Sequence, residues 1–279
     1  MDFRRIEIIF LCVFIALDIF LFTSYRQTRN QVVNTNNVGS TTLEKEMNQD
    51  NITINSKLDK RVGEGYYLAS QDDQHVLRND QVKLRNITWS YDEIKKQLNC
   101  YLNNPLVLTP QTIVPTLKRY IKKTQNVTKG QEYEYCRHLS SDNNVVFVQK
   151  VKLGRLYENT GRVTFKIINN RLVSYEQTYV NAMNVLREKQ NTISEQRAVY
   201  NLYTNNEIPN NSQLKWADLA YAKLMKFKNN TIYIPVWYVA FVPKGMRSTQ
   251  IRQVNAFSGA VIKVDQTKGG YVNDRSHAD

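Results

Sequence analysis

From Ile8 to Tyr25 the chain reads IIFLCVFIALDIFLFTSY, about 18 residues near the lower limit for a helix crossing a hydrocarbon core roughly 30 Å thick. Twelve Ile, Leu, Phe and Val side chains between Ile8 and Phe22 would favour insertion by about 4–7 kcal/mol. A central Asp18 would oppose it by roughly 2.5–3.5 kcal/mol, less toward the helix end. The run therefore predicts a membrane anchor over residues 1–25. A cleaved signal peptide is the competing reading, but Thr23, Ser24, Tyr25 and Arg26 supply no small-x-small cleavage pattern. Arg4 and Arg5 on one side balance Arg26 and Arg29 on the other, so charge alone does not orient the segment.

At helical spacing Leu11, Phe14, Asp18, Leu21 and Tyr25 share one face. Asp18 either snorkels to the headgroups or bonds a polar group on a neighbouring helix, which makes these five the candidate transmembrane interaction residues. Residues 26–50 carry no aromatic and few large apolar groups, so they read as a polar tether, with a short helix allowed around Thr42–Met47.

Beyond the tether the apolar pattern alternates between strand and helix periods, which predicts an α+β fold. Ser90 and Glu93 resemble a capping box, with Ile94, Leu98 and Tyr101 continuing a helix until Pro105. Thr109-Pro110 opens a second helix through Ile113, Val114, Leu117, Tyr120 and Ile121. Strands are expected over Val145–Val151, Arg162–Ile168 and Leu172–Val180, with a tight turn at Asn169-Asn170. The order then repeats. Ser194 caps a helix carrying Ala198, Val199, Leu202 and Tyr203, and strands follow at Leu214–Phe227, Thr231–Val242, Ile251–Phe257 and Ala260–Val264. Two similar lobes, 51–185 and 186–266, each a helix plus an antiparallel meander, and a polar tail at 267–279 complete the expected organisation. Pro235 suggests that its strand is an edge or carries a bulge.

A net charge of +13 raises nucleic acid, anionic polymer or a solvated surface as partners. The lysines and arginines are scattered through strands and loops and accompany no nucleic-acid-binding signature, so nucleic acid is not expected. His75, His138 and His277 are not at metal-ligand spacing, and no P-loop, dinucleotide fingerprint or serine elbow occurs. The chain is accordingly expected to be no enzyme, with no metal and no cofactor. Cys136 beside His138 reads as a strand cysteine. Cys100 and Cys136 either bridge in an oxidising compartment or remain two half-buried thiols. Sequons at Asn51, Asn86, Asn126 and Asn229 read as accidents of an Asn-rich chain. Period two places Tyr233, Trp237 and Phe241 on one strand face, which reads first as strand core and otherwise as a candidate interaction surface of the region beyond the anchor.

The opening Met1-Asp2-Phe3-Arg4-Arg5-Ile6 with Leu17-Asp18-Ile19-Phe20-Leu21, together with Asp50-Asn51-Ile52 and Gly65-Tyr66-Tyr67-Leu68, resembles the YycI (WalI) family. Ile193-Ser194-Glu195 and Val254-Asn255-Ala256-Phe257-Ser258-Gly259-Ala260-Val261-Ile262 look like the helix and last hairpin of PepSY-type domains. The resemblance implies a bacterial single-pass membrane protein with a cytoplasmic N-terminus and an extracellular domain. It further implies a partner of a WalK-like sensor histidine kinase controlling cell-wall metabolism, acting with a YycH-like sister protein. A PepSY-like envelope binding module or protease inhibitor without a kinase partner is the alternative.

Overall fold

The computed structural model describes residues 3–31, 39–71, 76–80, 83–181 and 183–263. His75, His277 and the expected polar tail lie outside the described residues. The chain divides into two compact units, Met1–Asn51 and Ile52–Asp279.

The first unit is helical, with α1 spanning Phe3–Gln31 and α2 spanning Gly39–Gln49. The segment read as a tether is thus helical at both ends. Among the described residues no helix is long and apolar enough to cross a membrane. The apolar stretch from Ile8 to Phe22 rises only about 22 Å at 1.5 Å per residue, and Glu7 bounds it.

The second unit begins with β1 (Thr53–Ile54), β2 (Glu64–Gly65), β3 (Leu68–Gln71) and α3 (Val76–Asp80). Next come β4 (Ile87–Asp92), β5 (Gln97–Val107), α4 (Ile113–Tyr120), β6 (Tyr133–Tyr135), β7 (Asn144–Val151) and β8 (Gly154–Arg155). After β9 (Arg162–Ile168), β10 (Arg171–Gln177), β11 (Met183–Val185) and β12 (Gln190–Asn191) the chain forms α5 (Glu195–Thr204). It closes with β13 (Ser212–Phe227), β14 (Asn230–Pro243), β15 (Gln250–Asn255) and β16 (Val261–Ile262).

Fourteen of these strands form two seven-stranded sheets, and β2 pairs with β12 in a separate two-stranded one. The first has the order β4-β5-β10-β9-β7-β6, with β8 added on β7. The second runs β1-β13-β14-β15-β16, with β3 on β14 and β11 on β3. Strands β1 and β3 therefore complete the second sheet although the sequence places them before the first. The order helix, sheet, sheet, helix follows from period-two alternation. On β7, Val145 and Phe147 face Leu117 and Ile121 near α4, whereas Val146 and Val148 face Ala220, Ile234, Val236 and Tyr238 of the second sheet. Helix α5 covers the far side of β13, β14 and β15.

The expected helix over 90–105 is a hairpin instead. Asp92 Oδ1 accepts from the amides of Ile94 and Lys95, 3.0 and 2.9 Å away, so the side chain closes a turn, and Lys96 takes a positive φ of 53° to complete it. Leu98 and Cys100 then alternate inward on β5, a strand period within a sequence that also fits a helical one. Other local signals hold. Asn169 and Asn170 adopt φ of 49° and 56°, the left-handed pair of a two-residue hairpin. Ser194 caps α5 by accepting from the Arg197 amide at 3.3 Å.

Pro235 lies in the central strand β14, not at an edge. That strand pairs with β3 through Tyr233 and with β15 from Val236 onward, so Pro235 falls where one neighbour hands over to the other and no ladder needs its missing N–H. Its carbonyl still accepts from Ala256 at 3.0 Å. Gly65 makes room for its ring, since a Cβ there would lie 2.8 Å from Pro235 Cγ.

Candidate functional site

On α1 the side chains described, residues 7–23, are exposed all round the helix. Leu11, Phe14 and Leu21 are each more than half exposed, and Asp18 is exposed among them. Tyr25 belongs to α1, but its side chain lies outside the described residues. Phe10 and Phe14, one turn apart, bring their rings to 5.0 Å.

The aromatic face of β14 is covered from within. Tyr233 and Phe241 are 4% and 0% exposed. Tyr233 packs with Leu68, Leu156, Val180 and Tyr221, and the half-buried Trp237 donates its indole N–H to the Ile193 carbonyl at 2.9 Å, just ahead of α5. These residues are core, because β14 is central and both of its faces are occupied.

What sequence reasoning missed is the polar junction between the sheets. The Arg155 guanidinium holds both oxygens of Asp218 on β13 at 2.8 and 2.6 Å and reaches Glu134 on β6 at 3.4 Å. Tyr157 donates its hydroxyl to the same Asp218 carboxylate. Burial works against the charge on Arg155, but the hydrogen bond and charge of Asp218 prevail and hold the guanidinium above its ordinary range. Burial, reinforced by the Asp218 bond, likewise raises Tyr157. Beside this group His138 stacks on Trp216 with ring centroids 4.3 Å apart. Burial lowers the imidazole below its ordinary value of 6.5, against the pull of Asp218 and with the help of the Arg155 and Arg137 charges. No spacing rule links residues 63 positions apart, as Arg155 and Asp218 are.

Both cysteines of this unit are free and buried. They lie in different cores, Cys100 on the α4 side of the first sheet and Cys136 between the sheets, so they do not form the bridge considered from sequence. Burial pushes the Cys100 thiol up to about 11 and also raises Cys136, which keeps both protonated near neutral pH. Among the described residues no group of three or more His, Cys, Asp or Glu could hold a metal ion.

A cavity of about 190 Å³ opens where the β4–β5 turn approaches the distal part of the β13–β14 hairpin. Lys95 and Lys96 line it from one turn and Lys223 and Lys226 from the other hairpin.

With this geometry established, a family model described as YycI protein matches residues 30–257. The chain belongs to the YycI family. The matched region includes the part of the resemblance from Asp50 through the last hairpin as far as Phe257, and begins after the apolar stretch of α1. No curated protein matches the chain. Among solved structures, an uncharacterized protein from Eubacterium rectale is 10% identical and has a TM-score of 0.47, covering 77% of this chain and 91% of its own. YycH from Bacillus subtilis is 12% identical with a TM-score of 0.44, covering 69% of this chain and 56% of its own. The Bacillus megaterium YpeB C-terminal domain is 10% identical with a TM-score of 0.35, covering 82% and 96%.

Proposed function

We propose that this YycI-family chain is a membrane-anchored regulator that binds a WalK-like sensor histidine kinase together with a YycH-like sister protein. Family membership across residues 30–257 is the observation that carries the reading. The exposed apolar surface of α1 supports it physically, because twelve large apolar side chains from Ile8 to Phe22 are all at least half exposed. Lipid and partner helices are the environments in which such a surface is stable. In this reading the flanks of the 29-residue helix complete the span by snorkelling and local bilayer thinning. The N-terminus is cytoplasmic and the second unit extracellular.

Leu11, Phe14, Asp18 and Leu21 then form the face that meets partner helices, with Tyr25 continuing it by sequence spacing. Regulation requires that this contact favour one signalling state of the kinase over the other. The test is in-cell crosslinking of the full chain, purification in mild detergent and identification of bound proteins. Recovery of a membrane histidine kinase with a sister single-pass protein, reduced at least tenfold by Asp18→Leu, is expected. Recovery of an envelope protease without the kinase would transfer support to the PepSY-like binding-module reading. Unchanged kinase recovery with Asp18→Leu would leave Asp18 a snorkelling residue.

A further inference from the structure

Helix α4 ends in a cluster of cations that the fold leaves on its surface. Lys118, Arg119, Lys122 and Lys123 occupy the last turn of α4 and the turn that follows, and all four are exposed. Leu117 and Ile121 between them are buried in the core of the first sheet, which fixes the side of this segment that meets water. Arg85, also exposed, stands beside the cluster, because its amide donates to the Gln125 carbonyl at 2.9 Å. Lys118 with Lys122 and Arg119 with Lys123 are like charges one turn apart, a spacing at which they repel. The macrodipole of α4 answers only about half a charge at this end. Nearby acids do not balance the rest. From Ile94 to Gln131 the chain has no Asp or Glu, and from Asp72 to Lys152 it has 13 Lys and Arg against 8 Asp and Glu, so cations remain in excess even if every acid there is matched. Asp80 meets Lys83 at 3.8 Å, Glu93 meets Arg78 at 2.9 Å and Glu134 meets Arg155 at 3.4 Å, while Tyr179 donates to Glu132 and accepts from Lys129. Among the described residues Arg85 and the four cations of the cluster form no ion pair, and Lys118 only lies 5.6 Å from the centroid of the Tyr135 ring.

We propose that this cluster is a docking site for a linear phosphodiester polyanion that carries no bases. Charge complementarity requires an anion, and the form of the site chooses among anions. The cations lie in a strip, one turn or about 6 Å apart along the axis, which suits a chain that repeats its charge more than a single headgroup. Lysine predominates, and an ammonium is a compact charge that follows phosphate oxygens without a fixed geometry, while Arg119 adds a fork for two of them. Among the described residues from Leu108 to Lys152 no large apolar or aromatic side chain is exposed. The segment therefore has nothing to insert into a bilayer, no apolar centre for a protein interface and no open ring on which bases would stack. The backbone beneath it is pinned. Tyr175 donates to the Asn126 carbonyl and Gln177 to the Thr128 carbonyl, each at 2.6 Å, and Gly130 sits so close to the Ile121 carbonyl that a Cβ there would stand 1.7 Å from the oxygen. Cations held on a fixed turn lose less freedom when they bind.

The test uses the full chain in a neutral detergent, which covers α1, titrated into end-labelled poly(glycerol phosphate) and followed by fluorescence anisotropy. With four phosphates engaged, the slope of log affinity against log salt should be about −3, a loss of about fiftyfold between about 50 and 200 mM salt. Lys122→Gln with Lys123→Gln should halve that slope and leave the thermal transition in place, because both side chains are exposed. Lys244→Gln with Arg247→Gln removes the same net charge from the exposed connection between β14 and β15 and should leave the slope unchanged. An equal effect of the two pairs would assign binding to net charge alone and overturn the proposal. Polyglutamate bound as tightly as the polymer would assign the cluster to an acidic protein segment, and single-stranded DNA bound more tightly would assign it to nucleic acid; either result sinks it. Phosphatidylglycerol doped into the micelles offers the same phosphodiester on a lipid, and displacement of the polymer at equal phosphate concentration would make the surface a membrane reader instead. No kinase or sister protein is present, so the outcome is independent of what α1 binds.

Discussion

The Arg155–Asp218 pair joins the two sheets, and Asp218→Asn measures what that junction contributes. Their side chains are 29% and 15% exposed, between the surface and the interior. The carboxylate receives two contacts from Arg155 and the Tyr157 hydroxyl. A hydrogen bond to a charged group is worth about 1.5–3 kcal/mol, and breaking a fully buried pair costs about 3–5. With residual solvation, with one acceptor kept by asparagine and with Glu134 still near the guanidinium, Asp218→Asn should cost about 2–4 kcal/mol. For a unit of this size that corresponds to a fall of roughly 4–16 °C in Tm. Urea unfolding of the full chain in mild detergent, followed by tryptophan fluorescence and by far-UV circular dichroism, gives the free energy. Trp216 lies beside the junction and reports on it directly. Arg155→Met and Asp218→Leu combined should be less harmful than the sum of the two, since removing both charges leaves neither unpaired, and the coupling energy should be about 2 kcal/mol. A coupling below about 0.5 kcal/mol, the level of an exposed pair, would refute the view that this contact fixes one sheet against the other.

The remaining predictions address burial and titration. Phe241→Ala should cost about 3–5 kcal/mol in the same urea assay, as expected for a core aromatic, whereas an interface residue would change stability by less than about 0.5. Gly130→Ala should be at least as damaging, because its Cβ would stand 1.7 Å from the Ile121 carbonyl oxygen, a backbone atom that cannot step aside; about 4 kcal/mol or complete loss of soluble protein is expected. His138 titrates lower in the folded than in the unfolded chain, so its contribution is present above about 6.5 and is lost as pH falls through that value toward the lowered folded one. His138→Phe keeps a ring against Trp216 and should flatten the fall in Tm between about pH 7.5 and 5.5; an unchanged slope would assign that fall to the carboxylates alone.

Where a local signal has one physical solution, the sequence is legible in this fold. Asn169-Asn170 can enter the left-handed region and turns a hairpin, and Ser194 ahead of an acidic first turn starts α5. Residues 90–105 show why other signals fail. Ser90 and Glu93 satisfy a capping pattern, and Leu98 with Leu102 satisfies a helical one, yet Leu98, Cys100 and Leu102 equally satisfy period two. Tertiary pairing decides. β5 is hydrogen-bonded to β4 on one side and β10 on the other, so a helix there would leave two strands without their neighbour. Pro235 misleads in the opposite sense, because a missing donor implies an edge only if one neighbour runs the whole length of the strand. Here β3 and β15 share one side of β14 in succession.

The same pairing explains why Tyr233 and Phe241 of the aromatic stripe are strand core, the first of the two readings the sequence allows. Alternation tells which residues share a face of β14, but not how many layers lie on that face. With the first sheet on one side and α5 on the other, a central strand has no face left for a partner. Whatever the second unit binds must be reached where strands end, where a sheet runs uncovered or on the outer side of a covering helix. Long strands also carry their turns beyond the covering layers, as β13 and β14 do with their 16 and 14 residues. Residues such as Leu224, Met225 and Phe227 then look like strand core by composition and are exposed by position. Lysines scattered in sequence gather at one place only because two hairpins end beside the same cavity.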